Sequence, residues 1–487
     1  MISEYEFGPW LPDKTDFRNP GLEDCRNTIP SPTGYQPAPG LQSTGDTISG
    51  EVLGAQEYER PDGTSCIAVA TTSDLYTIIS GTVTASGLGF SLTNLSRFVF
   101  EPFGSSIYAT CKDQGSYRLA DTLTDTSFTS AVPPRANAMG RVGSFLLVGD
   151  ITDLDASDAP YKFRFSPFNN PQGSWTPDIA TQTGGQTLDQ GQGVIVAISG
   201  GDYGLIFQQY GISRVTYSGG GSVFAKENFE KNRGCAAPLS VVRVGQFTYF
   251  LSHDGFSVTN GSSVETISRG RVWSWFEENA NLADVRLVSG AVDWPRRCIV
   301  WTFPSSGGSV RDKQLYFNWE TQNWSYTERQ VDYFVAAKRE GLTLEEVGAI
   351  YPNLDTMTLS LDSPTFQASG RALSCFSGGE LQTVDGAPLE ASFTTGDMQP
   401  ATGRRTFVTA ITPLISEDTQ AITASVGVRD RMTSTPTFTA ETSQGPLGYV
   451  PLAADGRYVR GRVTIPAGVN WSDAYGLQVE HTPGGHF

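Results

Sequence analysis

The sequence predicts an all-β protein: an irregular β-propeller-like domain followed by a C-terminal β-sandwich, with an extended N-terminal arm and one short connecting helix. Two observations lead to this fold class. The 487 residues include 53 Gly and 28 Pro, which separate strands but disrupt helix interiors. Short strands ending in turn residues also recur at intervals of about a dozen residues, a spacing typical of antiparallel sheets. Long amphipathic helices are therefore not expected.

The first predicted element is an extended arm over residues 1–50. Residues 1–40 contain seven prolines among acidic and aromatic side chains. Because proline lacks the N–H that a helix interior or a strand ladder needs, this composition predicts little regular structure. We expect the arm to gain order by lying on another part of the protein.

A series of short strands follows over residues 51–340. Asp254-Gly255 and Asn260-Gly261 mark tight hairpin corners, where positive φ is tolerated. The predicted strand segments are 74–85, 105–120, 143–150, 193–217, 246–268 and 298–328. Antiparallel meanders of this kind close into barrels, sandwiches or propellers, and each closure hides strand edges. We expect a propeller whose blades are irregular in length.

Residues 341–385 are predicted to connect two domains. Thr343 and Glu346 have the spacing of a capping box, and Pro352 ends the apolar pattern, which predicts a short helix over 343–352. Strand patterns return over 386–487 and suffice for a separate β-sandwich.

The charge balance argues against one class of function. Lys and Arg number 34 and Asp and Glu number 51, so the formal net charge is −17. Tight nucleic-acid binding rests on a basic surface that releases counterions from phosphates. The sequence therefore does not predict an avid DNA or RNA binder, although an acidic wall would let DNA slide past without sticking.

The six cysteines are widely scattered, without a CxxC pair. We expect buried free thiols, with the disulfides of an exported protein as the alternative. The start, MISEYEFGPW, is acidic where a secretory signal would be basic, and the apolar run CIVWTF at 298–303 is far shorter than a membrane span. The chain is expected to fold in the cytoplasm where it is made.

Ser252-His253-Asp254 contains the three residue types of a serine-hydrolase triad. Triad members converge from separate segments, whereas neighbours on a strand point to opposite faces, so no triad is expected. His481 and His486 lie beside glycines in the tail, where a flexible end is the simpler interpretation. A zinc site built from histidines is not predicted, and neither is any cofactor.

Acidic residues crowd the segment GDITDLDASDAP (149–160). Counted from Asp153, an EF-hand would need Gly and an acid where Asp158 and Arg164 stand, so that pattern fails. A solvated loop is expected, while a calcium site of another geometry near Asp153 and Asp155 stays open. A glycosidase carboxylate pair also stays open, since sequence does not give carboxylate separations.

Several arginines cluster in the C-terminal region of this acidic chain: Arg404, Arg405, Arg429, Arg431, Arg457, Arg460 and Arg462. In the predicted strand 458–465, Arg460 and Arg462 share one face while Val459 and Val463 share the other. Arg460 and Arg462 are therefore candidate subunit-interface residues. The alternative is a solvated, ion-paired face.

The segment KFRFSPFNNPQGSW (162–175) combines an aromatic strand, a turn cluster and a Trp. It resembles a corner of the tail hub or nozzle proteins of short-tailed bacteriophages, also called packaged-DNA stabilisation proteins. Further segments are similar to that family in the same order, and the resemblance spans residues 140–485. They are GDYGLIFQQYGISRVTYSGG, FEKNRGCAAPLSVVRVGQFTYFLSHDGFSVTNG, KQLYFNWETQNWSY, TLEEVGAIYPNLDTMTLSLDSPTF and GRYVRGRVTIPAGVNWSDAYGLQVEH. One departure is ISRGRVWSWFEENAN (267–281), where the family pattern has an Ile-Gly turn and an Asp-bearing helix.

The resemblance implies a structural virion protein and not an enzyme. Such proteins form a ring, expected here to be a homohexamer, below the portal and adaptor rings. The ring continues the channel that retains packaged DNA and conducts it on ejection, without sequence-specific DNA binding. The implied partners are the adaptor ring, a tail fibre or tailspike, and the host outer membrane at the tip; the implied location is the virion.

Two other classes of function remain alternatives. An exported carbohydrate-binding or glycosidase propeller would also be acidic and aromatic, and Trp294, Trp301, Trp319 and Trp324 would be its sugar-stacking residues. A phage tail fibre or receptor-binding protein is the other. It would normally carry a coiled or low-complexity stalk, and the sequence has no such segment.

Overall fold

The computed structural model describes residues 1–15, 19–120, 124–220, 222–338, 371–401, 403–416 and 421–485. Nearly all regular structure in these ranges is β-strand, which confirms the predicted all-β class. The predicted helix over 343–352 lies outside the described residues. None of the helices within those ranges has the length and apolar character needed to span a membrane.

The N-terminal arm is built from strands. They are β1 (Ile2–Glu6), β2 (Leu22–Arg26), β3 (Thr28–Ser31), β4 (Gly34–Pro37) and β5 (Gln42–Thr47). The arm is extended and lies on other parts of the protein, as expected, but the expectation of little regular structure is wrong. Its prolines are tolerated because most lie between strands, and Pro30 lies in β3, an edge strand that pairs with β4 alone.

Six four-stranded antiparallel units follow, here called blades 1 to 6. Blade 1 contains β6 (Val52–Glu59), β7 (Ser65–Thr71), β8 (Leu75–Ile79) and β9 (Thr82–Ala85). Blade 2 contains β10 (Val99–Phe103), β11 (Ser106–Cys111), β12 (Gly115–Leu119) and β13 (Thr129–Ser130). Blade 3 contains β14 (Ala136–Val142), β15 (Phe145–Thr152), β16 (Asp158–Phe165) and β17 (Gly184–Thr187).

The next three blades have the same meander. Blade 4 contains β18 (Ile195–Ser199), β19 (Gly204–Gln208), β20 (Ile212–Tyr217) and β21 (Phe224–Glu230). Blade 5 contains β22 (Val242–Val244), β23 (Phe247–Ser252), β24 (Gly255–Thr259) and β25 (Val264–Thr266). Blade 6 contains β26 (Ser289–Asp293), β27 (Cys298–Pro304), β28 (Arg311–Asn318) and β29 (Trp324–Glu328). Short 3-10 helices occur at Gln190–Gln192, Pro238–Ser240 and Leu282–Leu287.

Blade 7 combines strands from distant parts of the chain. Its order is β30 (Tyr333–Lys338), β31 (Arg371–Ser377), β32 (Glu380–Thr383) and then β5 of the arm. The N-terminal segment thus supplies the outer strand of the last blade. The observed unit runs from β5 to β32, past the predicted limits at residues 51 and 340.

The first strands of the blades stand side by side around a central axis. They are β6, β10, β14, β18, β22, β26 and β30, and β30 packs back against β6. The 3-10 helix Pro238–Ser240 packs against both β18 and β26, beside β22. A closed ring of seven four-stranded sheets is a β-propeller, which confirms the predicted propeller-like domain.

One α-helix, α1 (Trp273–Asn279), separates blades 5 and 6. It lies in the segment that departs from the phage-family pattern. Its own N-cap residue, Val272, makes no side-chain cap. Instead the Asp13 carboxylate of the arm accepts hydrogen bonds from the N–H groups of Ser274 and Trp275, both at 3.0 Å. A carboxylate there satisfies two free donors and faces the positive end of the helix dipole.

The remaining strands form the predicted β-sandwich: β33 (Ala391–Thr395), β34 (Thr406–Ile415), β35 (Thr423–Arg429), β36 (Thr437–Phe438), β37 (Thr442–Ser443), β38 (Val450–Gly456), β39 (Tyr458–Ile465) and β40 (Ala474–Pro483). One sheet has the order β3-β4-β40-β34-β38, with β1 also paired to β40. The facing sheet runs β2-β33-β39-β35-β36. The arm therefore contributes strands to both sheets of the sandwich.

Side chains of the arm are buried in a core that the sandwich shares with blades 5 and 6. The ring of Phe7 stacks on Phe393 at 4.6 Å. Trp10 is 0% exposed, and its indole N–H donates to the Glu23 carbonyl at 3.0 Å. The Tyr35 hydroxyl donates to the backbone of the same arm. The two chain ends also meet, since the Met1 ammonium donates to the His481 carbonyl at 2.8 Å.

The sandwich and the propeller share a sheet. Strand β2 pairs parallel to β29 of blade 6, at Arg26 and Tyr326, and antiparallel to β33 of the sandwich. Blade 6 and one sandwich sheet thus form a single ten-stranded sheet. Hydrogen bonds therefore run from one domain into the other without a flexible linker at this point.

Replacing the buried arm tryptophan tests this architecture. Trp10→Ala should lower the free energy of unfolding by about 3–5 kcal/mol, because it leaves a large cavity beside β2, where Trp10 packs on Trp275 and Tyr326. Trp294→Ala is the matched control: Trp294 is 39% exposed, and its loss should cost about 1 kcal/mol or less. Urea unfolding followed by tryptophan fluorescence measures both. Equal losses would show that the arm does not stabilise the fold.

Candidate functional site

The central channel of the propeller is a concave feature that has charged side chains in its walls. Its wider part is a cavity of about 680 Å³ lined by residues from every blade. A second cavity of about 430 Å³ lies where the chain enters the inner strands. Both cavities have Asn137, Val196, Pro238 and Leu239 in their walls. They are therefore two parts of one channel, whose size suits a small molecule.

A short repeated sequence shapes the wider part of the channel. Arg141-Val142-Gly143-Ser144-Phe145 in blade 3 and Arg243-Val244-Gly245-Gln246-Phe247 in blade 5 have the same RVGxF pattern. Both glycines have positive φ, 55° and 59°, which the tight hairpin after the inner strand requires. The Nε–H groups of Arg141 and Arg243 donate to the carbonyls of these glycines at 3.0 and 3.1 Å.

The two repeated arginines connect neighbouring blades. The Arg141 guanidinium lies 5.2 Å from the ring centre of Phe103 in blade 2. The Arg243 guanidinium lies 5.5 Å from the ring centre of Tyr203, between strands β18 and β19 of blade 4. Each arginine thus contacts an aromatic ring of the preceding blade, a contact with a modest cation–π attraction. The repeat is visible in the sequence and could have indicated these residues.

Glycines bring blades 3 and 4 into backbone contact at the same rim. The Gly201 N–H donates to the Arg141 carbonyl at 2.8 Å, and the Gly143 N–H donates to the Gly201 carbonyl at 2.9 Å. A Cβ at Gly200 would lie 2.0 Å from the Arg141 carbonyl oxygen. Only glycine therefore permits this approach, and the rim between blades 3 and 4 is closed by hydrogen bonds.

One channel-lining carboxyl has an unusual protonation equilibrium. Glu101 of β10 lies in the wall of the wider cavity. Burial raises the pKa of its carboxyl from the ordinary 4.5 to about 7, and the Arg141 charge opposes that rise. The charge of the channel wall therefore changes near neutral pH.

The segment 162–175 forms a rigid corner at the end of β16. Phe163 and Phe165 are buried, and the Trp175 indole N–H donates to the Pro171 carbonyl at 3.0 Å. The Arg164 guanidinium is buried between the Trp175 carbonyl and the Asp153 carboxylate. Phe163, Phe165 and Trp175 therefore belong to the core around blade 3, whereas Phe168 is exposed.

The acidic loop is only partly solvated. Asp153 accepts from Lys162 at 2.6 Å and from Arg164, and these hydrogen bonds lower the pKa of its carboxyl to about 2 although burial acts to raise it. Asp150 is buried and pairs with Lys112. The expected solvated loop is thus wrong for these two residues, whereas Asp155 is exposed and bonds to Ser157. No group of three metal-binding side chains occurs within the described ranges.

The serine, histidine and aspartate of the hydrolase pattern do not converge. Ser252 is buried in β23, while His253 is exposed and stacks on Tyr210 at 5.4 Å. Asp254 pairs with Arg233 at 3.1 Å. Since Ser252 pairs with Gly255, the two-residue corner is His253-Asp254, one residue before the predicted position.

The tail histidines and the tryptophans also differ from expectation. His481 belongs to β40 and is 2% exposed, so a flexible end is wrong for this residue; His486 lies outside the described residues. Trp301 and Trp324 are buried and cannot stack on a sugar. Trp294 and Trp319 form a T-shaped pair at 6.0 Å.

All six cysteines are free and buried, as predicted. Burial raises the pKa of these thiols, to about 12 for Cys235 and about 11 for Cys66. They are therefore protonated at neutral pH and act as small apolar residues of the core.

Arg460 lies inside the chain and does not face a neighbouring subunit. It is 4% exposed, its Nε–H donates to Asp397 at 2.6 Å, and its Nη1 contacts the Glu23 carboxylate. Asp397 also accepts from Arg429. An interface role for Arg460 is therefore wrong: the guanidinium joins the arm to the sandwich.

Arg462 has different surroundings. Its guanidinium lies 3.9 Å from the ring centre of Phe438, and its Nε–H donates to the Thr394 hydroxyl at 3.3 Å. It is half-buried in β39. The interface role of Arg462 stays a prediction.

No protein-family model and no curated protein sequence matches this chain. Similar solved structures include the Pan2 WD40 domain of Neurospora crassa, with 9% identity, 71% of this chain, 93% of that chain and a TM-score of 0.37. BBS1N in complex with ARL6DN is 6% identical to this chain; the match covers 71% of this chain and 97% of that chain, with a TM-score of 0.41. BamB from Moraxella catarrhalis is 10% identical to this chain; the match covers 79% of this chain and 97% of that chain, with a TM-score of 0.35. These likenesses carry no argument about function, and the propeller assignment rests on the sheet topology.

Removing the buried guanidinium tests its role inside the chain. Arg460→Ala should lower the free energy of unfolding by about 3 kcal/mol, because the buried carboxylate of Asp397 loses a guanidinium partner. Arg431→Ala, at an exposed position, is the matched control and should change stability by about 0.5 kcal/mol or less. Chemical unfolding of the purified chain gives both values. An unchanged stability in Arg460→Ala would contradict the structural role.

The raised pKa of Glu101 predicts a pH-dependent stability. Between pH 4.5, the ordinary pKa, and about 7, the folded protein binds more protons at this site than the unfolded chain, so this group makes stability fall as pH rises. Glu101→Gln should remove that fall. We expect the variant to gain stability over the wild type on going from about pH 5 to about pH 8. The same difference between the two proteins at both pH values would refute the shift.

Proposed function

We propose that this chain is a structural protein of a short-tailed bacteriophage virion, forming the tail nozzle or hub ring. In that role it continues the DNA channel below the portal and adaptor, retains packaged DNA and conducts it on ejection. The proposal includes no enzymatic activity and no cofactor. It rests on the ordered resemblance over residues 140–485 and on one feature of the fold.

That feature is the ten-stranded sheet shared by blade 6 and the sandwich. A tube that holds pressurised DNA must transmit force between its parts without opening. Here the two domains are joined through paired strands, and the arm is buried between them. Such a subunit suits a load-bearing ring, because its domains cannot separate without breaking a sheet and exposing strand edges.

The proposed DNA duct lies between subunits and not inside one propeller. The channel of a single chain holds cavities of about 680 and 430 Å³, a size that suits small ligands. A duplex therefore needs a wider opening enclosed by several copies. The formal charge of −17 per chain would make such a duct repel DNA, which favours passage over adhesion.

The proposed partners follow from this position. The ring, expected to be a homohexamer, would contact the adaptor on one side and a tail fibre or tailspike at its periphery. Genomic DNA would pass through it without sequence-specific contacts, and its tip would approach the host outer membrane. The proposed location is the virion, after synthesis in the host cytoplasm.

Virions provide the test of this role. Electron microscopy of purified particles should show the protein as a ring beneath the adaptor. Particles made without the protein should package DNA but lose it, because confined DNA pushes outward and only a closed channel opposes it. A nuclease-protection assay measures this retention, and restoring the wild-type chain in trans is the control.

A separate measurement examines the acidic duct. The purified protein should have weak or no affinity for duplex DNA at physiological salt, because retention by closure needs no phosphate contacts. Absence of the protein from virions would overturn the proposed function. Tight, salt-sensitive DNA binding would instead leave the location standing and overturn the repelling-duct mechanism.

A further inference from the structure

The narrower cavity of the propeller channel collects positive charge in an acidic protein. Three arginines line it: Arg97 precedes β10, Arg286 lies in the 3-10 helix Leu282–Leu287, and Arg311 begins β28. Arg97 and Arg286 lie just before the inner strands of blades 2 and 6, and Arg311 lies in blade 6. All three therefore reach the end of the channel at which these inner strands begin. The cavity holds about 430 Å³, enough for a small organic or inorganic ligand.

Neither Arg97 nor Arg286 has a side-chain hydrogen bond or an ion pair within the part of the chain that the structure describes. Burial lowers the pKa of Arg97 to about 10, the Asp150 carboxylate acts to raise it, and the neighbouring charge of Arg286 acts to lower it. The Arg97 guanidinium therefore remains charged at neutral pH. Two like charges that face one cavity, with neither guanidinium hydrogen-bonded to a carboxylate of the described residues, favour the binding of an anion.

Arg311 adds a third charge, which no carboxylate of the described residues binds directly. It is 5% exposed and donates to two backbone carbonyls, of Leu287 at 2.6 Å and Asp332 at 2.7 Å. The carboxylates of Glu51 and Asp332 act on it only through longer-range attraction. Its position is therefore fixed by neutral groups, and its charge adds to the potential of the cavity.

The carboxylates in the same wall are already engaged. Asp150 pairs with Lys112 at 2.5 Å and accepts from Asn137 at 2.7 Å. Asp113 accepts from the Ser96 hydroxyl at 2.9 Å. The cavity wall therefore contains three guanidinium groups and two carboxylates, those of Asp113 and Asp150. The remaining lining includes apolar Val52, Leu53, Val196 and Leu287 and the imidazole of His253.

We propose that this cavity is a binding site for a small oxyanion, a phosphate or carboxylate compound, held by Arg97 and Arg286. The planar guanidinium group presents paired N–H donors that match either oxyanion. The site is independent of the proposed tail function, because it lies within a single propeller. Binding would connect the loop before blade 2 to the 3-10 helix before blade 6, across the mouth of the channel.

Isothermal titration calorimetry of the purified full-length chain tests the site. Inorganic phosphate is one probe and citrate is the other, at low ionic strength, and the difference between them identifies the preferred anion. Arg97→Gln and Arg286→Gln should each weaken binding of the preferred probe by about tenfold or more, since each removes a charge-assisted contact. Arg431→Gln, at an exposed arginine outside the cavity, should leave binding unchanged.

Each result decides the proposal. Binding of either probe that is weakened by both cavity variants and not by Arg431→Gln supports the site. Failure of both probes to bind at millimolar concentration overturns it. Equal weakening in all three variants also overturns it, because that would indicate only general attraction to arginine. Circular dichroism of each variant confirms that the comparison is made between folded proteins.

Discussion

The insertion of β2 between β29 and β33 is the constraint on which the two-domain structure depends. Five residues of the arm close one edge of blade 6 and one edge of the sandwich together. The charged side chains of β2 also contact both domains. The Tyr326 hydroxyl of blade 6 donates to Asp24 at 2.6 Å, and Arg460 of the sandwich binds Glu23. Without β2 both sheets would present open edges, the usual starting point for aggregation. The arm is thus a shared structural element and not an appendage.

Interactions between residues close in sequence could be predicted from the sequence, whereas interactions between distant residues could not. The hairpins of the propeller follow from alternating side chains and from turn residues that lie next to one another, so segments such as 298–328 were predicted as strands correctly. The order of the arm is not visible in its own sequence, because it comes from partners far along the chain. Asp13 caps a helix that begins at Trp273, and Glu23 meets Arg460. No local sequence pattern predicts such pairs. An arginine that alternates with valines gives the same pattern whether it faces solvent or a buried carboxylate.

The candidate site shows a similar division. The RVGxF repeat can be found in the sequence. Its position at the channel rim becomes clear only in the structure, where blades 3 and 5 place it equivalently in the ring. The arginines of the narrower cavity carry no such signal, since Arg97, Arg286 and Arg311 lie in unrelated contexts. Net charge was also a poor guide to this surface. A chain with a formal charge of −17 places three guanidinium groups at one mouth of its channel, because total charge does not determine local potential.

The strand β5 that completes blade 7 has a consequence for how the chain acquires its structure. A ribosome makes β5 and the rest of the arm long before the strands that pair with them, β32, β33 and β40. Neither the ring nor the sandwich can close until these later strands are made, and both depend on contacts between segments far apart in the sequence. Folding dominated by such distant contacts is slow, because the entropy of loop closure must be lost before the contacts form. Any association that needs the closed fold must therefore wait until β40 has been made.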